Sequence, residues 1–435
     1  MAKISYKFIH FIVLFSFLMN SFFGYAYVNI IIAGIPLNEI ALILSLIFCF
    51  PLLPVFILRF PIIKPILLWS VLFVPFVLWG FFQNGKWALR DATHLIEVWW
   101  IPVSIVALSR VTEVDFKKYL NLFVILTIIK SLMQFFDLEG VLVIEGLHSD
   151  LDLLESGSTG MAFMAIIAFW GYISGLHRNY LIIPITILGL VLGQSRTGIF
   201  SMILLTLVYL FLTKAKLNIL LKLASSIFVL AIIYSTLANI PELGKYTKFK
   251  KLLTIEDYYE LMLSSSGESK TFSGSAAGVN QRNGWRDEIF NKAENSLRIL
   301  FLGQGFGVPL TDLISVEGNP VREPHNSSLS VFARTGIIGF IVWFVFHFKI
   351  NSLVIKFLSK NSSLIRHNFM LKLLLVCYLS LINMYVTSLS QPGFENPFWA
   401  VPAFIVIGAI IVIHKKTQII VNNAGLKNIN RNAIV

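Results

Sequence analysis

The chain has 435 residues, of which 56% are hydrophobic and only 13% are charged, and its mean hydropathy is +0.78. About a quarter of the residues in a soluble domain are charged, so this composition excludes an ordinary soluble protein and indicates a polytopic membrane protein. The net charge is +12, but the basic residues lie mostly in short loops between apolar runs. That pattern favours orientation in a membrane with anionic lipids over nucleic-acid binding.

Apolar runs long enough to cross a membrane recur along the chain. A spanning helix needs about 20 apolar residues. On that criterion the sequence predicts an all-α membrane helix bundle of about twelve spans, at 8–33, 38–58, 65–82, 95–109, 118–136, 159–176, 179–194, 197–213, 217–238, 326–348, 368–390 and 397–414. Cys49 and Cys377 both lie inside apolar runs, so no disulfide is expected. No small-residue cleavage site follows the first run, which predicts an uncleaved first span.

Lysine and arginine are distributed unevenly between alternate loops. One set of loops holds most of them, whereas the other short loops hold only Lys86, Arg90 and Arg196. Because cytoplasmic loops are enriched in these residues, both termini are predicted to be cytoplasmic. The predicted organisation is a bundle of about nine spans, a large outer loop, three further spans and a cytoplasmic tail, at 1–238, 239–325, 326–414 and 415–435.

The large outer loop contains two amphipathic patterns. The first, Phe249–Leu263, has an apolar helical face and is followed by a Ser/Gly-rich segment, 264–278, which is typical of a flexible linker or lid. A second helix is predicted with Asn283 as its cap and an apolar stripe that begins at Trp285. Both helices are expected to lie along the outer membrane face, over the mouth of the bundle.

Arg196 stands in the sequence GQSRTG, residues 193–198, between two apolar runs at the predicted outer boundary. An arginine there has two interpretations: it extends to lipid phosphates, or it binds an anionic substrate. The second is favoured because an outer arginine opposes the orientation rule. Ser195 and Thr197 also place hydroxyl groups beside a guanidinium, whose fork of donors suits a diphosphate.

Arg282 and Arg286 form a second basic pair, in the outer loop. Arg286 is expected in the first turn of the second loop helix, where the N-terminal amides favour anions and would make it a second phosphate ligand. The alternative is a solvated helix face or an ion pair with Asp287 or Glu288. Spacing alone leaves both interpretations open.

His325 and Asn326 follow Pro324 and open a predicted span. This histidine either serves a structural role in the loop or acts as a general base for a sugar hydroxyl, since neutral imidazole is available near neutral pH. Its predicted position at the outer mouth favours the base. Asn326 is expected to cap the helix or to orient the histidine.

Three further features carry polar chemistry. Arg334 lies nine residues after His325 and therefore about 13 Å further along the helix on the opposite side. It contributes to substrate binding, pairs with an acid or holds the helix in place. The segment GQGFG, 303–307, favours a tight turn over a phosphate loop. His94 and Glu97 share a helical face and either form a polar contact or line an acceptor path. The sequence lacks a Walker A motif and metal-ligand spacings.

The order of these motifs resembles the O-antigen ligase and O-antigen polymerase superfamily of bacterial inner membranes. The resemblance rests on SRTG, WRDEIF, GQGFGV and PHNSSLSVFARTGIIG, at 195–198, 285–290, 303–308 and 324–339. It implies a glycan donor linked to undecaprenyl diphosphate, with no cofactor, nucleotide sugar or metal. The essential arginines of the family match Arg196 and Arg286, and its essential histidine matches His325.

The resemblance also implies a mechanism. Arg196 and Arg286 would bind the diphosphate and stabilise the charge of the leaving group, while His325 accepts the proton of the attacking hydroxyl, with inversion. The supporting substrate-binding residues are expected to be Ser195, Arg282, Asn326 and Arg334. The implied location is the bacterial inner membrane, with the site facing the periplasm.

Two questions stay open at the level of the sequence. The acceptor is lipid A-core if the chain is a ligase, or a lipid-linked oligosaccharide if it is a polymerase. The motifs do not separate these two activities. The segment that contains His325 and Asn326, together with the large outer loop, favours the ligase. A different class is a polysaccharide flippase or transporter, which predicts charges distributed through several spans. Here the charges gather at one face.

Overall fold

The part of the chain that a computed structural model describes is almost entirely helical. It comprises residues 2–32, 35–135, 143–144, 151–152, 158–183, 186, 196–214, 255–264, 267–269, 271–313, 321–322, 324–389 and 393–432. Within these ranges the strands form two short antiparallel pairs, Ile31–Ile32 with Ile35–Pro36 and Val143–Ile144 with Leu151–Asp152.

The helices follow one another with short connections. In the first half of the chain they are Ala2–Phe23, Tyr25–Val28, Leu37–Cys49, Leu53–Arg59, Lys64–Asn84, Lys86–Asp91, Thr93–Glu97, Trp100–Leu108, Glu113–Phe135, Ser158–Ile173 and Arg196–Thr213, with a 3₁₀ turn at Pro61–Ile63. In the second half they are Ile255–Leu263, Ser273–Glu294, Leu297–Leu302, Ser327–Lys360, Ser362–Ile365, Phe369–Ser388 and Pro397–Asn432.

Within the described ranges, five helices are long and apolar enough to cross a membrane, or six if one bent pair forms a single span. The predicted all-α membrane protein is thereby confirmed, whereas the predicted count of about twelve is not. The predicted span 217–238 lies outside the described residues, as does most of the span 179–194. Shorter apolar helices occupy Thr93–Leu108, Met164–Ile173 and Phe200–Thr213.

The span predicted over 38–58 is not one continuous helix. The chain bends by 86° between Leu37–Cys49 and Leu53–Arg59. Pro51 and Pro54 fall at the bend. Because proline lacks the amide hydrogen and its ring clashes with the preceding turn, these two residues end the first helix and start the second.

The last two long helices form the centre of the bundle. The apolar windows of Pro397–Asn422 and Phe369–Ser388 are 83% and 78% buried, against 39% for Pro61–Asn84. The helix Pro397–Asn432 approaches Trp100–Leu108 closely at Gly408. A Cβ on Gly408 would lie only 2.6 Å from the Cβ of Ser104. These central helices carry the contacts that position the polar end of the bundle.

The helix Ser327–Lys360 is broken at Gly336, where φ is 66° and ψ is −169°. At the break, the backbone of the turn after Leu302 crosses the helix. Gln304 N donates to Ala333 O at 2.7 Å, and Gly305 N donates to Arg334 O at 3.3 Å. The turn thus uses carbonyl groups of the helix around the break, and the two segments are held as one unit.

We expect Gly336→Ala to destabilise the protein strongly. This backbone conformation is essentially restricted to glycine and costs other residues about 1–3 kcal/mol. A Cβ would also lie 2.3 Å from the carbonyl carbon and oxygen of Phe301. The measurement is the thermal unfolding midpoint in detergent. Gly284→Ala is the matched control, since its Cβ would meet Leu313 at an ordinary 3.8 Å, and an equal loss in both variants would contradict the account.

Candidate functional site

His325 has an unusual backbone conformation. Its φ is +53°, one of two positive values found for non-glycine residues in the described chain. Its ring stacks on the indole of Trp285, with centroids 5.8 Å apart and planes inclined by 24°. A non-glycine residue in this region is uncommon and is maintained only where the surroundings fix it. The backbone and the stack together hold the imidazole in one orientation.

Asn326 caps the helix that follows, as the sequence predicts. Its Oδ1 accepts from Leu329 N at 3.0 Å, and its Nδ2 donates to Leu389 O at 3.4 Å. The first bond satisfies an amide that the helix leaves unpaired, and the second joins this end to the helix Phe369–Ser388. Phe394 N also donates to Ser327 Oγ at 2.9 Å. Asn326 and Ser327, the two residues after His325, are therefore fixed to Leu389 and Phe394 respectively.

The second loop helix begins ten residues earlier than Asn283, at Ser273. The predicted cap at Asn283 is therefore wrong, and part of the predicted flexible linker is helical. Phe272 and Ala276 are buried, and Ser269 Oγ accepts from Phe272 N at 3.1 Å. Burial of apolar side chains at the start of the segment outweighs the low helix propensity of its serines and glycines.

This early start changes the setting of Arg286. It is the fourteenth residue of the helix counted from Ser273, so its predicted place in the first turn beside N-terminal amides is wrong. Its side chain is 52% exposed and contacts Asp287 Oδ1 at 3.2 Å. An exposed pair of this kind contributes little to stability. Arg286 can thus exchange Asp287 for another anion at small cost.

Arg282 lies one turn before Arg286 on the same helical face. Its Nε donates to Gly278 O at 3.0 Å, which directs the side chain along the helix. Burial lowers the pKa of its guanidinium. Trp285 shares this part of the helix and contacts His325. The two arginines are therefore carried by the helix that orients the histidine.

Arg196 is the first residue of the helix Arg196–Thr213; its side chain and all of Ser195 lie outside the described part of the structure. Ser201 Oγ donates to Asn383 Oδ1 near the end of the helix Phe369–Ser388, and the helix Arg196–Thr213 also contacts Ser362–Ile365, which precedes it. The helix is hence antiparallel to Phe369–Ser388. Arg196 is about 8 Å from Ser201 along its helix, and Leu389 is about 9 Å from Asn383. The start of the helix therefore lies at the same end of the bundle as His325.

A buried ion cluster joins Arg334 to an acid that is distant in sequence. Arg334 is 2% exposed, and its Nη2 lies 2.9 Å from Asp91 Oδ2. Its Nη1 donates to Gly305 O at 3.1 Å and to Val308 O at 2.6 Å, and Nη2 also donates to Arg322 O at 3.2 Å. Of the interpretations of Arg334, the pairing with an acid agrees with this geometry. Its guanidinium also holds the turn through the carbonyl groups of Gly305 and Val308.

Asp91 is shared by two arginines. Arg322 Nη1 lies 3.4 Å from its Oδ2 and donates to Gly307 O at 3.0 Å, while Gly307 N donates to the same Oδ2 at 2.8 Å. Burial raises the pKa of the Asp91 carboxyl, although Arg334, the Gly307 amide and Arg322 act to lower it. The segment GQGFG is the tight turn that the sequence predicts, with positive φ at Gly303, Gly305 and Gly307.

Sequence reasoning missed Asp91 and Arg322. A signal for Asp91 was present, because an arginine at the depth predicted for Arg334 needs a counter-charge and acids are scarce in this chain. Arg322 carried no such signal, since it lies in a loop where basic residues are ordinary.

His94 and Glu97 are both buried, but they do not form a hydrogen bond with each other. The His94 ring packs against Trp69 and Phe306, at 5.7 and 6.3 Å between centroids. Phe306 belongs to the GQGFG turn, so His94 supports that turn. The predicted polar contact between His94 and Glu97 is therefore absent from the described structure.

Part of the chain matches the model of a known family. Residues 181–344 match the O-antigen ligase family model. The resemblance to the O-antigen ligase and polymerase superfamily is confirmed. The matched segment contains Arg196, Arg286 and His325, whereas Asp91 lies well before its first residue. None of the curated proteins matches the chain. Members of this family are glycosyltransferase-type enzymes acting on lipid-linked glycans, and the apolar helices make this chain a membrane protein.

Proposed function

We propose that this protein transfers a glycan from undecaprenyl diphosphate to a sugar hydroxyl of an acceptor. The observation that carries the proposal is the stack of His325 on Trp285. It puts a constrained imidazole against the helix that carries Arg282 and Arg286, at the end of the bundle where the Arg196 helix starts. A base beside several guanidinium groups suits a reaction in which a hydroxyl attacks and a diphosphate leaves.

The arginines act on the donor. Arg196 and Arg286 bind the diphosphate, with Arg282 and Ser195 in support, because a guanidinium fork offers paired donors to phosphate oxygens. As the bond between the anomeric carbon and the phosphate oxygen breaks, negative charge develops on the leaving undecaprenyl diphosphate. Fixed positive charges stabilise that charge more in the transition state than in the ground state.

His325 acts on the acceptor. Neutral imidazole takes the hydroxyl proton as the oxygen forms its bond to the anomeric carbon, and displacement of the diphosphate from the opposite side inverts the configuration. Asn326 keeps the histidine in position through its bonds to Leu329 and Leu389. The loop 239–325 selects the acceptor.

We propose the bacterial inner membrane as the location, with both termini in the cytoplasm and the site facing the periplasm. The acceptor is lipid A-core, as for a ligase; a polymerase would use a lipid-linked oligosaccharide. Proteoliposomes that contain the purified protein and the lipid-diphosphate glycan should therefore transfer the glycan to added lipid A-core. Growth of longer lipid-linked chains instead would establish a polymerase. Movement of intact donor across the membrane without transfer would establish a transporter.

A further inference from the structure

We infer that Asp91 is a positioning residue for His325 and acts through Arg322. The inference rests on the proposed function for the role of His325. It concerns a carboxylate outside the segment that matches the ligase family and about which the motifs say nothing. The geometry links the two residues in two steps, from Asp91 to Arg322 and from Arg322 to His325.

The first step is the binding of Arg322 by Asp91. The carboxylate is 3% exposed and its Oδ2 faces donors from Gly307 N, Arg334 Nη2 and Arg322 Nη1 at 2.8, 2.9 and 3.4 Å. Because two of these donors are guanidinium groups, a neutral amide at this position would leave both without their carboxylate partner. Asp91 is thus the centre of the cluster.

The second step runs from Arg322, which is itself held in place, to His325. The Arg322 guanidinium lies 4.3 Å above the Trp87 ring, and the Arg322 carbonyl accepts from Arg334. The side chain and the backbone of Arg322 are therefore both held, three residues before His325. On the other side, Asn326 is held by its cap and by Leu389. A positive φ at His325 needs such restraint from both sides.

The consequence is that loss of the Asp91 charge releases one of these two restraints. The imidazole then leaves its stack on Trp285 for part of the time. A misplacement of about 1 Å lowers a rate by about 100-fold where geometry limits the reaction. Donor binding is unaffected, because Arg196 and Arg286 belong to other segments.

The test measures the accessibility of His325 directly in the full-length protein in detergent. Diethyl pyrocarbonate modifies neutral imidazole, and mass spectrometry follows His325 together with the exposed His367 as an internal reference. In Asp91→Asn the rate at His325 should rise several-fold while the rate at His367 stays constant. Asp312→Asn is the matched control, since Asp312 is an exposed acid whose pair is Lys292, and it should change neither rate.

Arg322→Lys provides a second variant in case Asp91→Asn does not fold. It retains the positive charge but loses the planar set of donors of the guanidinium. It should also raise the rate at His325. Where transfer is measured, both variants should lower kcat by about 10- to 100-fold with the donor KM unchanged. An unchanged modification rate at His325 in a folded variant would overturn the inference. This readout does not depend on activity, so a failure of the proposed transferase function would be seen separately, as absence of transfer in the unmodified protein.

Discussion

Replacement of His325 by alanine is expected to lower glycan transfer by about 10²–10⁴-fold, the usual contribution of a general base. Without the imidazole, the hydroxyl of the acceptor must lose its proton to water. The fold should remain, because the following helix is capped by Asn326, whose side chain the variant retains. Transfer from the lipid-diphosphate donor, measured beside the thermal unfolding midpoint, separates these effects.

The matched control is His367→Ala, which removes an exposed histidine between the helices Ser362–Ile365 and Phe369–Ser388. It should leave transfer and unfolding unchanged. If His325→Ala retained full activity, His325 would not be the base. If instead the variant lost activity together with the unfolding transition, the role of His325 would be structural.

Arg334→Met should produce the largest loss of stability, because it removes a buried cation that pairs with Asp91 and donates to three carbonyl groups. Removal of one member of a buried ion pair costs about 3–5 kcal/mol, since the other charge stays buried. Asp91 would retain Arg322, but the carbonyl groups of Gly305 and Val308 would lose their donor. The thermal unfolding midpoint in detergent measures the loss. Methionine preserves most of the volume, so packing changes little.

Arg298→Met is the comparison for this variant, since Arg298 is exposed on the short helix Leu297–Leu302. It should shift the midpoint very little. A small shift of the unfolding midpoint in Arg334→Met would show that the ion cluster around Asp91 does not stabilise the turn 303–307. It would also weaken the role assigned to Asp91. A large shift that Asp91→Asn shares, with the double variant no worse, would confirm that the two residues act as one unit.

Local sequence signals predicted those features that local physics determines. The cap at Asn326 follows from a side-chain oxygen that precedes an apolar helical run. The tight turn at 303–307 follows from glycines that accept positive φ, and the long apolar helices follow from composition. Each of these features depends on residues within a few positions of one another.

Features that depend on tertiary contacts were not predicted. The start of a helix at Ser273 depends on burial of Phe272 and Ala276, which outweighs the Ser/Gly composition. Gly336 breaks a helix because the chain at Phe301 crosses it. Asp91 meets Arg334 only after the intervening chain has folded. Charge pairing of this kind has no short-range pattern in the sequence. The scarcity of acids does limit the number of residues that could pair with Arg334.

The most direct test of the central claim is release of undecaprenyl diphosphate by the purified protein in proteoliposomes. The donor is undecaprenyl diphosphate that carries a labelled glycan, with lipid A-core and excess donor both present as acceptors. We expect one undecaprenyl diphosphate to be released for each glycan bond formed, at a rate that His325→Ala reduces. Absence of both release and transfer, from protein that unfolds cooperatively, would contradict the assignment as a lipid-diphosphate glycosyltransferase.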